Sequence, residues 1–218
     1  MLYDKDIREE LFDFFDERIG VNRVFEEKII GMSRADIFVV TPVIIIGVEI
    51  KSDADTYTRL SGQIKDYDKF FDRNYVVCGG SHGNHIKEHV PDYWGIITVD
   101  ETDKGCDFYV LREAMQNPKM RLSNQLSLLW RPELAKLQEN LNLPKYAGLG
   151  KAKLVNRLSE LITKEIAGRE ICKALLERDY TTIGSRIDEY RKEKNLKKRK
   201  SSAKLGVKRK RRSSKKIK

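Results

Sequence analysis

Hydrophobic residues along this chain change their spacing several times, and each change predicts an element. Residues 4–17 set Ile7, Leu11, Phe14 and Phe15 on one helical face and charged residues on the other, the pattern of an amphipathic helix. Arg23 to Ile30 reads as a strand. Residues 35–41 and 43–51 are rich in Val and Ile and nearly free of charge, and Pro42 between them, which cannot donate to a ladder, suits a turn. They predict a buried β-hairpin. Leu60, Ile64, Tyr67 and Phe71 then recur at helical spacing across 58–71. Asn74 to Cys78 returns as a short strand, Trp94 to Asp100 is another, and Asp107 to Arg112 an edge. From 121 to 166 the period is helical, with amphipathic stretches at 134–141 and 153–161 flanking a Gly- and Lys-bearing bend at 144–151. The expected fold class is α/β, a mixed sheet flanked by helices. Its expected divisions are a domain over 1–115, a helical region over 121–190 and a tail over 191–218.

Inside the hairpin, a turn on Pro42 and Val43 pairs residues whose numbers sum to 85, which sets Asp36 opposite Glu49. Directly opposed side chains leave the sheet on one face. Alternation along the second strand then groups Glu49 with Lys51, while Ile44, Ile46, Val48 and Ile50 point the other way. A slip of one residue would undo this arrangement. An isolated Glu-x-Lys at a strand end is ordinarily a weak solvated pair. Asp36 changes the picture because it interrupts an apolar strand, where a carboxylate without a partner or metal is costly. Gln63 lies one helical turn before Tyr67 on the same stripe, as a boundary amide or as part of the same site.

These residues resemble the PD-(D/E)XK nuclease superfamily, with Asp36 in the place of the second-strand acid, Glu49-x-Lys51 as the (D/E)-x-K, and Gln63-x-x-x-Tyr67 as the helix motif of its RecB-like members. Arg34-Ala-Asp36, Glu49-Ile-Lys51-Ser-Asp53-x-Asp55, Arg59-Leu60-x-x-Gln63 and Val90-Pro-Asp-x-Trp94-Gly95 are together similar to a family of small bacterial and phage proteins within it. The likeness covers residues 1–115, and Ala35 stands where the superfamily name has proline. It implies a restriction-endonuclease-like central sheet and a metal-dependent DNA nuclease. Asp36, Glu49 and the backbone carbonyl of Ile50 would hold Mg²⁺ or Mn²⁺, Lys51 would act on the attacking water, and Gln63 and Tyr67 would hold the lysine or a phosphate. The superfamily usually adds an upstream acid, for which Glu10, Glu26 and Glu27 are open candidates. The alternatives are a noncatalytic DNA-binding or adaptor protein on the same fold, and an RNA-directed nuclease or RNA-binding protein.

Charge supports a nucleic-acid partner. The chain carries a formal +10, and the excess sits in 191–218, where Glu193 is the one acid among many Lys and Arg. Such a segment cannot bury a core and is expected to be a disordered polyanion binder, with Lys208, Arg209, Lys210, Arg211 and Arg212 its densest cluster. In a eukaryotic host that cluster would read as a nuclear import signal; in a bacterial or viral setting the protein is expected in the cytoplasm. The bend between the two late helices resembles the SAP helix-bend-helix of duplex DNA binders, with Lys151 and Lys153 placed to meet phosphates. An ordinary helical hairpin over the sheet fits equally. Three scattered cysteines read as reduced thiols, no apolar leader or membrane-length span is visible, and His85 and His89 read as exposed residues in preference to zinc ligands. Oligomeric state is not legible.

Overall fold

The computed structural model describes residues 4–52, 55–83, 85–103 and 105–180. Helix α1 (Asp4–Ile19) precedes strands β1 (Arg23–Ile30), β2 (Ser33–Val40) and β3 (Ile45–Lys51). A 3-10 turn at 57–59 leads into α2 (Leu60–Phe70), then β4 (Arg73–Gly79), the short α3 (Gly80–Gly83), β5 (Gly95–Thr102) and β6 (Gly105–Arg112). Helices α4 (Leu122–Ser127), α5 (Arg131–Asn140), α6 (Lys151–Leu161) and α7 (Lys164–Leu176) complete the order. The six strands form one mixed sheet in sequence order: β1, β2 and β3 run antiparallel, β3, β4 and β5 parallel, and β6 returns antiparallel. The parallel β3–β4 pair requires a crossover, and α2 supplies it.

Each face of the sheet has its own core. Ile7, Leu11 and Phe15 of α1 pack on Ile37, Val39, Ile46, Val48 and Ile50, the alternation expected of a strand with one stripe per face. On the opposite face Phe38, Val40 and Ile45 meet Leu60, Ile64, Tyr67 and Phe71 of α2 and its end. The β2–β3 register carries Ile37 opposite Val48 through Val40 opposite Ile45, all summing to 85. Thr41 closes the turn: its amide and its hydroxyl both donate to the Ile44 carbonyl, and the hydroxyl accepts the amides of Val43 and Ile44.

Alternation breaks at one place. Phe25 and Phe38 are opposed and stack at 4.7 Å on the α2 face, yet Ile30 and Ala35 reach that same face although strict period two would send them away. The reversal falls at Glu27, whose φ of 50° is left-handed, opposite Asp36. Asp36 therefore sits where the strand pair turns over.

The late helices do not stand apart. Leu126, Leu129, Leu134, Leu137, Leu154, Leu158 and Ile171 share one buried cluster with Phe25, Phe38 and Phe71 of the sheet. Helix α6 packs on α4, α5 on α7, and α7 reaches β2. The boundary expected between 115 and 121 consequently divides no core, and the chain through Arg178 forms one compact unit. Buried Arg178 fastens its end, paired bidentately to Glu133 at 2.7 and 2.6 Å and stacked over the Trp130 ring at 4.3 Å. Among the described residues no helix is long and apolar enough to cross a membrane.

Candidate functional site

Strands β2 and β3 and helix α2 bring Asp36, Glu49, Lys51, Gln63 and Tyr67 together. The Asp36 carboxylate accepts the Ile50 amide at 3.0 Å, one residue short of Lys51. Asp36 in turn donates its own amide to the Tyr67 hydroxyl at 3.0 Å, and Tyr67 donates to the Val48 carbonyl at 3.2 Å. One phenol thus spans both strands of the hairpin. Burial, followed by the nearby Glu49 and Asp36 carboxylates, pushes the Tyr67 phenol well above its usual range, so it remains a protonated donor. Lys51 Nζ donates to Glu49 Oε1 at 2.7 Å and to Gln63 Oε1 at 3.0 Å.

Two features of this network bear on chemistry. Glu49 and Lys51 are only 1% and 4% exposed, so their charges are carried inside the protein, while Asp36 is half-buried. Glu49 Oε2 is buried and accepts no hydrogen bond from the described residues, which is costly for an ionised oxygen unless a cation completes it. That orphaned oxygen beside a second carboxylate fits a hard divalent ion. Magnesium commonly takes one or two protein carboxylates and fills its remaining positions with water and phosphate oxygens. The carbonyl of Ile50 follows the amide that Asp36 holds.

The three upstream acids are engaged elsewhere. Glu10 accepts the amide of Cys106 on β6. Glu26 pairs with Arg8 at 3.3 Å, and Glu27 with Arg34 at 3.4 Å. Among the described residues no group of three His, Cys, Asp or Glu side chains gathers as a metal cluster. Arg8, which no sequence pattern singled out, lies on α1 beside the Ile7–Leu11 stripe and reaches the Asp36 carbonyl at 3.5 Å as well as Glu26. Asp55 accepts the Ser52 amide and hydroxyl, an ordinary turn closure; Asp53 lies outside the described residues.

The Trp94-Gly95 segment is structural. Trp94 Nε1 donates to buried Asp68 at 2.9 Å, and a Cβ on Gly95 would fall 2.2 Å from the Tyr75 ring. Asp68 also accepts the Tyr93 hydroxyl, and Asp72 accepts the Ile45 amide and the Gln125 amide. His85 and His89 are exposed, and the His89 ring lies against Tyr57.

Lys151 and Lys153 open α6 and are exposed, but Lys151 Nζ donates to the Ser127 carbonyl at 2.7 Å. Partial desolvation of its ammonium, then the neighbouring charges of Lys28 and Arg178, lowers it from the usual lysine value although the side chain as a whole is exposed. It borders a groove of ≈ 440 Å³ lined by Ser123, Asn124, Ser127, Ala152 and Asn156. Lys208, Arg209, Lys210, Arg211 and Arg212 lie outside the described residues.

A six-stranded mixed sheet with helices on both faces makes this a mixed α/β protein. Over residues 1–213 the chain matches the family model described as bacteriophage P4 protein cII, and it belongs to that phage family. No curated protein and no solved structure matches it.

Proposed function

We propose that this phage protein is a metal-dependent nuclease of the PD-(D/E)XK type, hydrolysing phosphodiester bonds of DNA in the cytoplasm of the host cell. The observation that supports the reading best is the buried, unbonded Glu49 Oε2 next to Asp36 and Lys51. Asp36, Glu49 and the Ile50 carbonyl would hold Mg²⁺ or Mn²⁺, which when bound supplies Lewis acidity toward phosphate and a more acidic water. Lys51 orients that water and offsets charge developing on the phosphate, with Gln63 fixing its ammonium and Tyr67 holding the two strands at their spacing. Lys151, Lys153 and the basic segment 191–218 would contact the DNA backbone.

A second reading, a noncatalytic DNA-binding or adaptor protein, is favoured by the closed Glu49–Lys51–Gln63 contacts and by the burial of both charges. The purified chain, incubated with linear, nicked, branched and single-stranded DNA and with RNA, separates the two. Product that needs Mg²⁺ or Mn²⁺ and disappears with EDTA is expected. Binding without product on any substrate would favour the adaptor, and product from RNA alone would move the substrate class.

A further inference from the structure

Left-handed Glu27 reverses the faces of β1, and the reversal delivers Lys28 to the side covered by the late helices. Lys28 lies directly opposite Ala35, which shares a buried cluster with Leu126 and Leu154. Strict alternation from Phe25 would have sent it to the α1 face. On the late-helix side it comes near other cations. Lys151 of α6 donates to the Ser127 carbonyl at 2.7 Å, and Arg178 donates to the adjacent Leu128 carbonyl at 3.0 Å. Partial desolvation, then the charge of Arg178, holds the Lys28 ammonium below the usual lysine value; partial desolvation, then Lys28 itself, does the same to Lys151.

Cations that depress one another call for a counter-charge, and the described residues supply too little. Glu133 is the carboxylate that acts on both lysines, but its oxygens already accept from Arg178 at 2.7 and 2.6 Å and from the Trp130 amide at 2.6 Å. Glu26 and Glu27 pair with Arg8 and Arg34. With Arg178 and Glu133 cancelling, Lys28 and Lys151 remain an uncompensated pair. Among the described residues half-buried Lys28 has no hydrogen bond or ion pair, and Lys151 has spent one of its three donors on a carbonyl. Lys151 also lines the groove of ≈ 440 Å³ between α4 and α6, to which Ser123 and Ser127 bring hydroxyls and Asn124 and Asn156 bring amides. Lysine, serine and asparagine are side chains that hold nucleic-acid phosphates and sugars without reading sequence.

We infer that Lys28 and Lys151 together seat one backbone phosphate of DNA, with the adjoining sugar along the α4–α6 groove and no dependence on base sequence. A sheet strand and a late helix thus build one contact. The inference rests on the reading of Lys151 as a DNA contact, and not on cleavage at Asp36 and Glu49. Its test is therefore run in EDTA on the full chain, with two short DNA duplexes of unrelated sequence. Acetic anhydride labels the lysines and mass spectrometry reads each one separately, so binding through 191–218 does not mask the seat.

At free duplex about ten times its Kd, Lys28 and Lys151 should both label roughly tenfold more slowly, and equally with either sequence. Lys28→Gln should release Lys151 from protection, and Lys151→Gln should release Lys28, because one phosphate needs both. The double variant should lower the slope of log K against log salt by about 0.9, the value of a single phosphate. The melting temperature of Lys28→Gln should hold or rise, since the change relieves repulsion from Arg178; a purely structural lysine would lower it. Unprotected Lys28 beside protected Lys151 would overturn the shared seat and leave Lys151 as a contact of its own. Protection that differs between the two sequences, or that an RNA duplex gives and DNA does not, would overturn it as well. Failure of the parent to bind duplex at all would overturn both the seat and the reading of Lys151. Protection without metal-dependent cleavage would leave the inference standing and defeat the nuclease reading.

Discussion

The carboxylates of α2 and of the residues just after it, and Glu49 of the β2–β3 hairpin, are all withdrawn from water, but they are completed differently. Asp66, Asp68 and Asp72 have every oxygen engaged by the protein: Asp68 by Trp94, Tyr93, Asn74 and Lys119, and Asp72 by the Ile45 amide, Gln125 and Lys164. Glu49 leaves one oxygen bare. A buried carboxylate saturated by donors that belong to distant parts of the chain ties those parts together and has nothing left to offer a ligand. A bare one, placed beside a second carboxylate and a lysine, has coordination to give.

The sharpest way to break this comparison is at the hairpin. On the nuclease reading proposed above, Asp36→Asn would remove an anionic ligand, and since a metal supplies several kcal/mol of transition-state stabilisation, turnover should fall by about a thousandfold. Lys51→Ala should lose turnover by about a hundredfold or more, in the range of acid-base and orienting groups. Calorimetric titration with Mn²⁺ distinguishes the two: heat of binding vanishes in Asp36→Asn and persists in Lys51→Ala. Parental turnover in both variants would remove the site from the chemistry.

Next in size is stability. Asp68→Asn turns an NH₂ group either toward the Trp94 and Asn74 donors that share one oxygen or toward the Tyr93 hydroxyl and Lys119 that share the other, and should cost about 2 kcal/mol in urea denaturation. Asp36→Asn keeps an oxygen for the Ile50 amide and should cost below about 1 kcal/mol. The saturated acid therefore costs fold when changed and the site acid costs activity. Similar losses of stability at both positions would erase the distinction.

The smallest effect concerns pH. Burial raises the Asp66 carboxyl, but hydrogen bonds from Lys69, Ser33 and Met32 outweigh it and hold the group below its ordinary value. A folded value lower than the unfolded one contributes stability above the ordinary carboxylate range, about pH 4, and loses it as pH falls through the folded value. The gap in urea midpoint between the parent and Asp66→Asn should be largest near neutrality and narrow as pH falls below the ordinary carboxylate range.

Local spacing made much of this legible. The stripe Ile7, Leu11 and Phe15, the stripe Leu60, Ile64, Tyr67 and Phe71, and the β2–β3 register all follow from periods of 3.6 and 2 and a short turn at Pro42. That register is what brings Asp36 to the backbone of Ile50. Other features depended on contacts between residues far apart in sequence. The pattern of 134–141 and 153–161 left a hairpin over the sheet and a DNA-binding bend equally open; α5 packs on α7 and α6 on α4, in a core shared with the sheet. Nor does the run Asp66 to Asp72 announce that its acids hold the Met32 turn, Trp94 and Ile45. Left-handed Glu27, which reverses the faces of β1 and β2, is not a residue that signals a positive φ.

The common core of the sheet and the late helices bears on heredity. A crossover between phage genomes near codon 115 would part Phe25, Phe38 and Phe71 from the leucines that cover them, and both products would carry bare apolar surface prone to clumping. Shuffling of interchangeable cassettes, common among genes whose products are strung from separate modules, is closed to this one at that point. The stretch through Arg178 is therefore expected to be exchanged whole, since its parts share one core.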